Sequence, residues 1–338
     1  MTGAPRFAPE TLGSLVAAAT RRALASGALV PLDTEGTPIE DAGVRFVVRK
    51  ALSLRRKDAE RERQARGAAP ADPFLPPEPD LRVADVSASH VAVLNRFNVL
   101  ERHLLIVTRA FEHQERWLTR EDFTALAACL AGYESLGFYN GGVVAGASQA
   151  HKHLQLVPLP LGAEAAGAAP VHAVPPRPPG EGEGVRAGHR REPGTGPAWP
   201  QPPPFPTAAL IAASLPRDGV AQVAGFPFVA AVTPLRRAAF TDPERAAGLL
   251  QDRFAAAMAF AGVHPVDATD GLRQSRPYNL LVTRDWLLAV PRTREHADGV
   301  SINALGYAGS LFVRDDLDLE RLRALGPMRA LASVSVSR

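Results

Sequence analysis

A glycine-rich loop followed by alternating polar side chains, over residues 140–157, is the part of the sequence best suited to chemistry. The loop carries glycines at positions 141, 142 and 146 and ends in Ser148 and Gln149. Glycine lets the backbone approach a ligand closely, and successive amide N–H groups can form an anion-binding concavity. The loop therefore predicts a phosphate site.

The residues after this loop alternate between polar and apolar, which is typical of a strand with one buried face. If residues 151–157 form a strand, the side chains of His151, His153 and Gln155 share one face. Leu154 and Leu156 then point into the core. Three polar side chains in a row make a poor core and a good site for a phosphate group.

His153, the middle residue of the trio, is the candidate nucleophile. A neutral imidazole can attack an α-phosphate to give a phosphoramidate if its other ring nitrogen is held by an acceptor. His151 can hold the local geometry or assist the leaving group. Gln155 can donate an amide hydrogen bond to a phosphate oxygen, but it cannot carry protons.

Two plainer interpretations of the His-x-His pattern stay open at this point. The pair could bind a metal, or it could lie on the surface without a role. A metal site needs further ligands, and the nearest histidines in sequence, His172 and His189, fall in a low-complexity segment. We therefore predict no metal ligands in this chain.

The surrounding pattern predicts an α+β protein with an antiparallel sheet and flanking helices. Strands are predicted at residues 45–48, 91–95, 104–108, 151–157, 278–283 and 286–290, the last two as a hairpin. Helices are predicted over 120–136, capped by Thr119 with Asp122, and over 243–261, capped by Thr241 with Glu244. No glycine fingerprint follows the first strand, so neither a dinucleotide-binding fold nor a (β/α)₈ barrel is favoured.

Composition divides the chain into three regions. Residues 161–206 are dominated by Gly, Ala, Pro and charge, and we expect an irregular linker or insertion there. It separates a catalytic region, 1–160, from a C-terminal α+β region, 207–338. A second charged stretch runs from Arg55 to Arg66, either as a solvated helix face or as a phosphate contact.

The overall composition narrows the class of function. The chain has 338 residues, 46% of them hydrophobic, one cysteine (Cys129) and a formal net charge of +3. No apolar run is long enough to cross a bilayer and no secretory leader is evident, so we expect a cytoplasmic protein without a membrane partner. The small positive excess, without an aromatic-interleaved basic stripe, suits a phosphate-bearing small molecule better than a nucleic acid.

The loop and the His-x-His-x-Gln run together resemble the histidine-triad superfamily, in the branch whose third histidine is replaced by glutamine. That branch contains galactose-1-phosphate uridylyltransferase and the ATP adenylyltransferases (diadenosine tetraphosphate phosphorylases). The run from Gly146 to Gln155 is closer to the adenylyltransferases. Residues 94–108, 278–283 and 301–309 resemble further segments of that family.

The resemblance implies a histidine-triad-like fold with His153 as the adenylylated residue, assisted by His151 and Gln155. It also implies substrate contacts at Lys57, Asn95, Arg96, Asn140, Gly146, Ala147, Ser148, Gln149, Asn279, Thr283 and Arg292. Asparagine at a strand end often only satisfies local backbone groups, which is the plainer interpretation of Asn95 and Asn279. We expect a structural role for His103 and packing roles for Trp117 and Trp286.

By this resemblance the reaction is a pair of displacements that converts diadenosine tetraphosphate and inorganic phosphate to ATP and ADP, or runs in reverse. Mg²⁺ is expected to arrive bound to the polyphosphate. A dinucleoside polyphosphate hydrolase, a nucleotide-sugar transferase and a nucleotide sensor are the competing functions. Base preference, phosphate against sulfate as acceptor, regulation and oligomeric state stay open.

Overall fold

The computed structural model describes residues 6–51, 72–161 and 204–338. Lys57, the stretch from Arg55 to Arg66 and nearly all of the 161–206 segment lie outside these residues. The α-helices within them are α1 (Leu12–Ser26), α2 (Arg120–Gly132), α3 (Ala208–Ala213), α4 (Pro243–Phe260), α5 (Ala304–Tyr307), α6 (Asp316–Leu325) and α7 (Pro327–Val334).

The strands come in chain order as sixteen segments within the same described ranges. They are β1 (Thr34–Asp41), β2 (Val44–Ala51), β3 (Arg82–Asp85), β4 (His90–Leu94), β5 (Leu104–Thr108), β6 (Ser135–Gly141), β7 (His153–Pro158), β8 (Ala221–Gln222), β9 (Ala231–Pro234), β10 (Pro265–Ala268), β11 (Gly271–Gln274), β12 (Tyr278–Val282), β13 (Trp286–Pro291), β14 (His296–Ala297), β15 (Val300–Ser301) and β16 (Ser310–Val313).

A large antiparallel sheet organises the described residues, as the sequence predicts. Nine strands lie in the order β3-β4-β5-β7-β6-β12-β13-β9-β8. Strand β6 pairs with β12, with Asn140 opposite Asn279. Strands from both sides of the 161–206 segment therefore belong to one sheet, and the two predicted regions share a core. A smaller sheet, β1-β2-β16, joins the C-terminal part to the N-terminal part through the parallel pair β2 and β16.

The central strands of the large sheet are buried on both faces. In β12, Leu280 and Val282 enter one apolar core, while Leu281 between them enters the other. Helices α1, α2 and α4 contribute to the first core, and α7 contributes to the second. Burial on both faces explains why β12 reads as a continuous apolar run instead of an alternating one.

Helix α2 is capped as its sequence predicts. The Asp122 carboxylate accepts from the Thr119 backbone N–H at 2.7 Å. The helix ends at Gly132 rather than 136, because residues from Ser135 onward pair in β6 with β7 and β12. Ladder hydrogen bonds and burial on both faces override the helix-compatible composition there.

Helix α4 has a different cap from the predicted one. Asp242, not Thr241, occupies the N-cap, and its Oδ1 accepts from the backbone N–H groups of Glu244 and Arg245. The Thr241 hydroxyl donates instead to the carbonyl of Ala238 in the preceding turn. Pro243 stands in the first helical turn as predicted, where its missing N–H has no cost.

The predicted packing residues are buried or half-buried. The Trp117 ring lies 4.9 Å from that of Phe254, and the Trp286 ring lies 5.8 Å from that of Phe205. Burial raises the pKa of the Cys129 thiol to about 12, so it stays a neutral, small core side chain.

The ends of the Pro-rich segment meet. The Leu161 backbone N–H donates to the Pro204 carbonyl at 2.7 Å, and Phe205 is buried in the second core. The two described ends of this segment therefore lie side by side, although many residues separate them in sequence. Of the helices in the described ranges, none has the length and apolar character needed to cross a membrane.

The cap of α4 gives a direct test of the fold. Replacing Asp242 by Ala removes the acceptor for two helix N–H groups and should lower the free energy of unfolding by about 1 kcal/mol. Thr241→Ala, the matched control, should change it by less than about 0.5 kcal/mol. Midpoints of urea unfolding measure both, and a larger loss from Thr241→Ala would contradict the assignment.

Candidate active site

Strand β7 carries the candidate nucleophile through the middle of the large sheet. It lies between β5 and β6, with His153 opposite Val107 and Gln155 opposite Leu105. Leu154 and Leu156 point into the first core, as predicted. The strand begins at His153 rather than at His151, because residue 151 makes only an isolated bridge to His113.

His153 is held as a neutral imidazole with one defined tautomer. Its side chain is nearly enclosed, with 4% of its surface exposed. Since a carbonyl can only accept, the ring Nδ1–H must donate to the His151 carbonyl, 2.8 Å away. Burial lowers the pKa of His153 from its usual range to about 4, although that hydrogen bond opposes the shift. The lone pair therefore resides on Nε2 near neutral pH.

Gln114 fixes the backbone at the start of β7. Its Oε1 accepts from the His153 backbone N–H at 2.9 Å, and its Nε2 donates to the Asn140 carbonyl at 2.9 Å. The Tyr139 hydroxyl donates to the Gln114 carbonyl. One side chain thus ties the histidine strand to the end of β6, where the glycine loop begins. No motif in the sequence marked Gln114.

His151 is bound on both ring nitrogens by protein groups. Its Nδ1–H donates to the Asp72 carboxylate at 2.7 Å, and its Nε2 lies 2.8 Å from the Thr108 hydroxyl. The Phe74 ring lies 5.6 Å from the His151 ring and 5.4 Å from the His153 ring, so both rings occupy the same face. These contacts favour the geometric role for His151 over proton transfer. Asp72, like Gln114, was not identified from the sequence.

Gln155 is oriented by a short polar chain. The Asn95 side-chain amide donates to His103 Nδ1 at 3.1 Å, so the His103 proton is on Nε2, which donates to Gln155 Oε1 at 2.9 Å. The Gln155 NH₂ group is thereby left as the donor toward a ligand. His103 has a structural role, as expected, because it orients the Gln155 side chain.

The glycine loop is packed tightly against the C-terminal part of the chain. Gly142 and Gly146 have φ values of 88° and 87°, which favour glycine. A Cβ atom on Gly146 would lie 2.7 Å from the Ile302 carbonyl oxygen. The loop therefore depends on glycine both for its turn and for the close approach of residues 302 and 303.

A cavity of about 790 Å³ opens between the glycine loop, the connection from β4 to β5, β7 and the C-terminal segments. Among the predicted site residues, those that line it are Asn95, Asn140, Gly146, Ala147, Ser148 and Gln155. His103, Leu32, Phe97, Glu295, Ser301 and Asn303 were not predicted as ligand contacts and also line it. The volume falls in the range of small-molecule sites. His153 lies two residues from Gln155 along the same face of β7.

Asn140, Asn279 and Arg292 form one buried network behind this cavity. The Asn279 amide donates to Asn140 Oδ1 and to the Ala145 carbonyl, both at 2.8 Å. Arg292 Nη1 donates to Asn279 Oδ1 at 2.6 Å. Asn279 and Arg292 are 0% and 2% exposed and do not line the cavity. Protein groups already occupy their polar atoms, and the predicted substrate contacts of both residues stay predictions.

Three other predicted contacts, Thr283, Arg96 and Gln149, are not among the residues that line the cavity. Thr283 lies in the β12–β13 turn, where its hydroxyl accepts from the backbone N–H groups of Asp285 and Trp286. This contact explains a hairpin turn without glycine, while the substrate contact of Thr283 stays a prediction. The Arg96 guanidinium stacks over Phe97 at 5.2 Å, and Gln149 is half-buried at the loop end. Lys57 lies outside the described residues.

A buried charge cluster lies beneath the opposite face of the histidine segment. Lys152 Nζ lies 2.8 Å from an Asp122 oxygen and 2.7 Å from a Glu112 oxygen, and His90 Nε2 is 3.0 Å from Asp122. Burial alone would raise the pKa of Asp122, but its hydrogen bond from His90 and the Lys152 charge lower it to about 2. The residue between the two histidines is thus fixed to helix α2.

Solved structures share this fold. The crystal structure of yeast Ap4A phosphorylase Apa2 matches with a TM-score of 0.69 at 22% identity, covering 97% of this chain and 95% of that one. The structure of Apa2 in complex with Ap4A matches with a TM-score of 0.67 at 22% identity, covering 97% and 98%. Among curated sequences, Protein APA1 of Saccharomyces cerevisiae is 27% identical over 334 residues, covering 91% of this chain and 88% of that protein.

Family models identify both halves of the sequence. The model described as Ap4A phosphorylase N-terminal domain matches residues 2–175, and the one described as ATP adenylyltransferase C-terminal domain matches residues 224–337. The resemblance to ATP adenylyltransferases inferred from the His-x-His-x-Gln run is thereby confirmed. Because the first model covers more than half of the chain, this protein belongs to the Ap4A phosphorylase family of nucleotidyltransferase enzymes.

Proposed function

We propose that this enzyme converts Ap4A and inorganic phosphate to ATP and ADP through an adenylate covalently bound to His153. The family supports the substrate, and Apa2, which shares the fold, has been crystallised with Ap4A. The observation that carries the proposal is the state of His153: neutral, with its Nδ1–H held by the His151 carbonyl. That state directs the nucleophilic lone pair to Nε2.

The reaction divides into two displacements at one phosphorus atom. His153 Nε2 attacks an α-phosphorus of Ap4A, an N–P bond forms, and the bond from that phosphorus to the bridging oxygen breaks, releasing ATP. An oxygen of inorganic phosphate then attacks the same phosphorus. The N–P bond breaks, ADP leaves, and the imidazole returns to its starting form. Each step is easier than a single direct transfer because the histidine is held in place before reaction.

The cavity wall supplies the groups that such a reaction needs. Ser148, at the end of the loop, offers its backbone N–H and its hydroxyl to phosphate oxygens, whereas the N–H groups of Gly146 and Ala147 donate to the Val143 and Gly142 carbonyls within the loop. The Gln155 amide is turned toward the cavity by His103. Asn95, half-buried at the cavity wall, is available to a ribose hydroxyl. We assign the nucleotide's α-phosphate to the space between the loop and β7.

Mg²⁺ is proposed to enter with the polyphosphate. Within the described ranges, no group of three or more His, Cys, Asp or Glu side chains is arranged to hold a metal ion. A divalent cation on the phosphate chain would lower its negative charge before the imidazole attacks. The cytoplasmic location expected from the sequence stays a prediction.

The hydrolase alternative is disfavoured by Gln155. A triad histidine at this position could carry a proton to or from water, whereas an amide cannot. The hydrogen bond from His103 also fixes the Gln155 carbonyl oxygen away from any water-activating role. A nucleotide-sugar substrate has no specific support among the cavity residues.

The covalent intermediate can be tested by mass. Incubation with Ap4A and Mg²⁺ without phosphate should give one adenylate adduct, and adding phosphate should remove it with release of ADP. His153→Ala should form no adduct, since the attacking nitrogen is gone. Intact-protein mass spectrometry measures each state.

The matched control is His264→Ala, an exposed histidine beside β10 and outside the cavity. It should form the adduct at the normal rate. A normal turnover rate in His153→Ala would rule out covalent catalysis by this residue. Rapid accumulation of free nucleotides without any adduct would indicate hydrolysis instead.

The low pKa of His153 predicts the pH dependence of adduct formation. The neutral imidazole is the nucleophile and predominates above its pKa of about 4. The single-turnover rate should therefore be unaffected by His153 protonation between about pH 8 and pH 6, and should fall as pH approaches 4. A decrease centred near pH 6.5, as for a solvent-exposed histidine, would contradict the buried neutral state.

Replacing Gln155 by His tests the choice of acceptor. A histidine there could accept a proton from water, so release of AMP from Ap4A without phosphate should rise, on the order of tenfold or more. Gln155→Ala, the control, should slow phosphorolysis without raising hydrolysis. Chromatographic analysis of the products distinguishes the two, and unchanged hydrolysis in Gln155→His would remove the assigned role of this residue.

A further inference from the structure

Arg292 is a buried guanidinium whose partners are almost all backbone carbonyls. It donates to the carbonyls of Ile302 at 2.9 Å, Arg294 at 2.8 Å and Val334 at 3.1 Å, as well as to Asn279 Oδ1. Its guanidinium carbon lies 5.9 Å from the centre of the Tyr307 ring. None of the acceptors recorded for it within the described residues is a carboxylate.

Two of its acceptors, the Ile302 and Ala145 carbonyls, belong to segments that line the nucleotide cavity and contact each other. Ile302 lies between Ser301 and Asn303, which line the cavity. In the glycine loop, Ala145 directly precedes Gly146, and its carbonyl accepts from Asn279 at 2.8 Å and from Arg292 Nη1 at 3.5 Å. The single side chain of Arg292 therefore connects the glycine loop to the 301–303 segment and fixes the distance between them.

Asn279 and Asn140 extend the same connection. Asn140 Oδ1 accepts from the Asn279 amide and, at 2.9 Å, from the Ala304 backbone N–H. Asn140 is the member of this network that lines the cavity. Arg292 does not line it and is linked to Asn140 through Asn279. A Cβ on Gly146 would collide with the Ile302 carbonyl. The glycine loop and the 301–303 segment therefore lie so close together that the loop needs glycine at position 146.

The charge of Arg292 is as informative as its hydrogen bonds. Burial lowers its pKa, yet a guanidinium stays protonated in proteins. Burying a cation is costly, and the carbonyl dipoles together with the electrostatic attraction of the Glu295 carboxylate offset only part of that cost. An anion bound at the adjacent loop would interact with it through a medium of low dielectric, where charges act over longer distances than in water.

We propose that Arg292 is a positioning residue for the phosphate site: it fixes the glycine loop against the 301–303 segment and provides a buried positive charge behind the loop without touching the nucleotide. This inference rests on the proposed nucleotide site. It predicts that replacing Arg292 weakens the binding of a ligand with a phosphate group and leaves the affinity for the nucleoside alone unchanged. A purely structural residue would affect both equally.

The test compares AMP with adenosine, measured by isothermal titration calorimetry on the full chain. Arg292→Met should weaken AMP binding by about tenfold and leave adenosine affinity within about twofold of wild type. Arg292→Lys, which retains the charge but not the planar set of donors, should recover part of the AMP affinity. The matched control is Arg284→Met, in the turn of the same β12–β13 hairpin, where Arg284 pairs with Glu134 on the far side. It should leave both affinities unchanged.

Asn279→Asp provides a second variant that keeps Arg292 in place, in case Arg292→Met fails to fold. It would put a carboxylate where Asn279 Oδ1 now accepts from Arg292 at 2.6 Å. It should lower AMP affinity by at least about tenfold with adenosine binding retained, because it neutralises the buried charge and removes the amide donor that holds Asn140 Oδ1 and the Ala145 carbonyl. Unchanged AMP affinity in Asn279→Asp would overturn the proposed charge effect.

The outcomes separate this inference from the proposed function. If wild type binds AMP more tightly than adenosine and Arg292→Met keeps that preference, or loses both affinities equally, the positioning role is wrong and the nucleotide site remains. If wild type binds neither AMP nor adenosine, the nucleotide site is wrong and the inference fails with it.

Discussion

The alternation of side chains along β7 is the constraint on which the rest of the structure depends. The strand crosses the middle of the sheet, and every side chain on it from His153 to Val157 is buried. Leu154 and Leu156 meet an apolar core on one face, as such burial requires. On the other face, His153 and Gln155 place polar atoms where water is largely excluded, and those atoms must find partners within the protein.

The partners of these polar atoms build the site. The His151 carbonyl accepts a hydrogen bond from His153 Nδ1–H, His103 Nε2–H donates to Gln155 Oε1, and Gln114 Oε1 accepts from the His153 backbone N–H. In the proposed reaction, these contacts leave the His153 Nε2 and the Gln155 NH₂ group for the substrate. Exclusion of water lowers the pKa of His153 and strengthens the hydrogen bonds that orient it.

Secondary structure was predictable wherever a local pattern and the tertiary environment agree. Strands β5 and β12 follow from their apolar runs, and the helix at residue 120 follows from its Thr119 and Asp122 cap. The prediction failed at element ends. The N-cap of α4 is Asp242 and not Thr241. Residues 135 and 136 belong to β6 and not to the predicted helix, because they pair with residues of β7.

The sequence by itself determined the chemistry: a glycine loop followed by His-x-His-x-Gln specifies residue types and a spacing of two that place His153 and Gln155 on one face. It could not determine which other polar residues serve that chemistry. Asp72 lies 79 positions from His151, His103 lies 52 from Gln155 and Gln114 lies 39 from His153, and only the tertiary fold brings each pair together. Likewise Asn279 and Arg292 match a family pattern, but whether they touch a ligand or hold the wall behind it depends on burial, which only the tertiary structure decides.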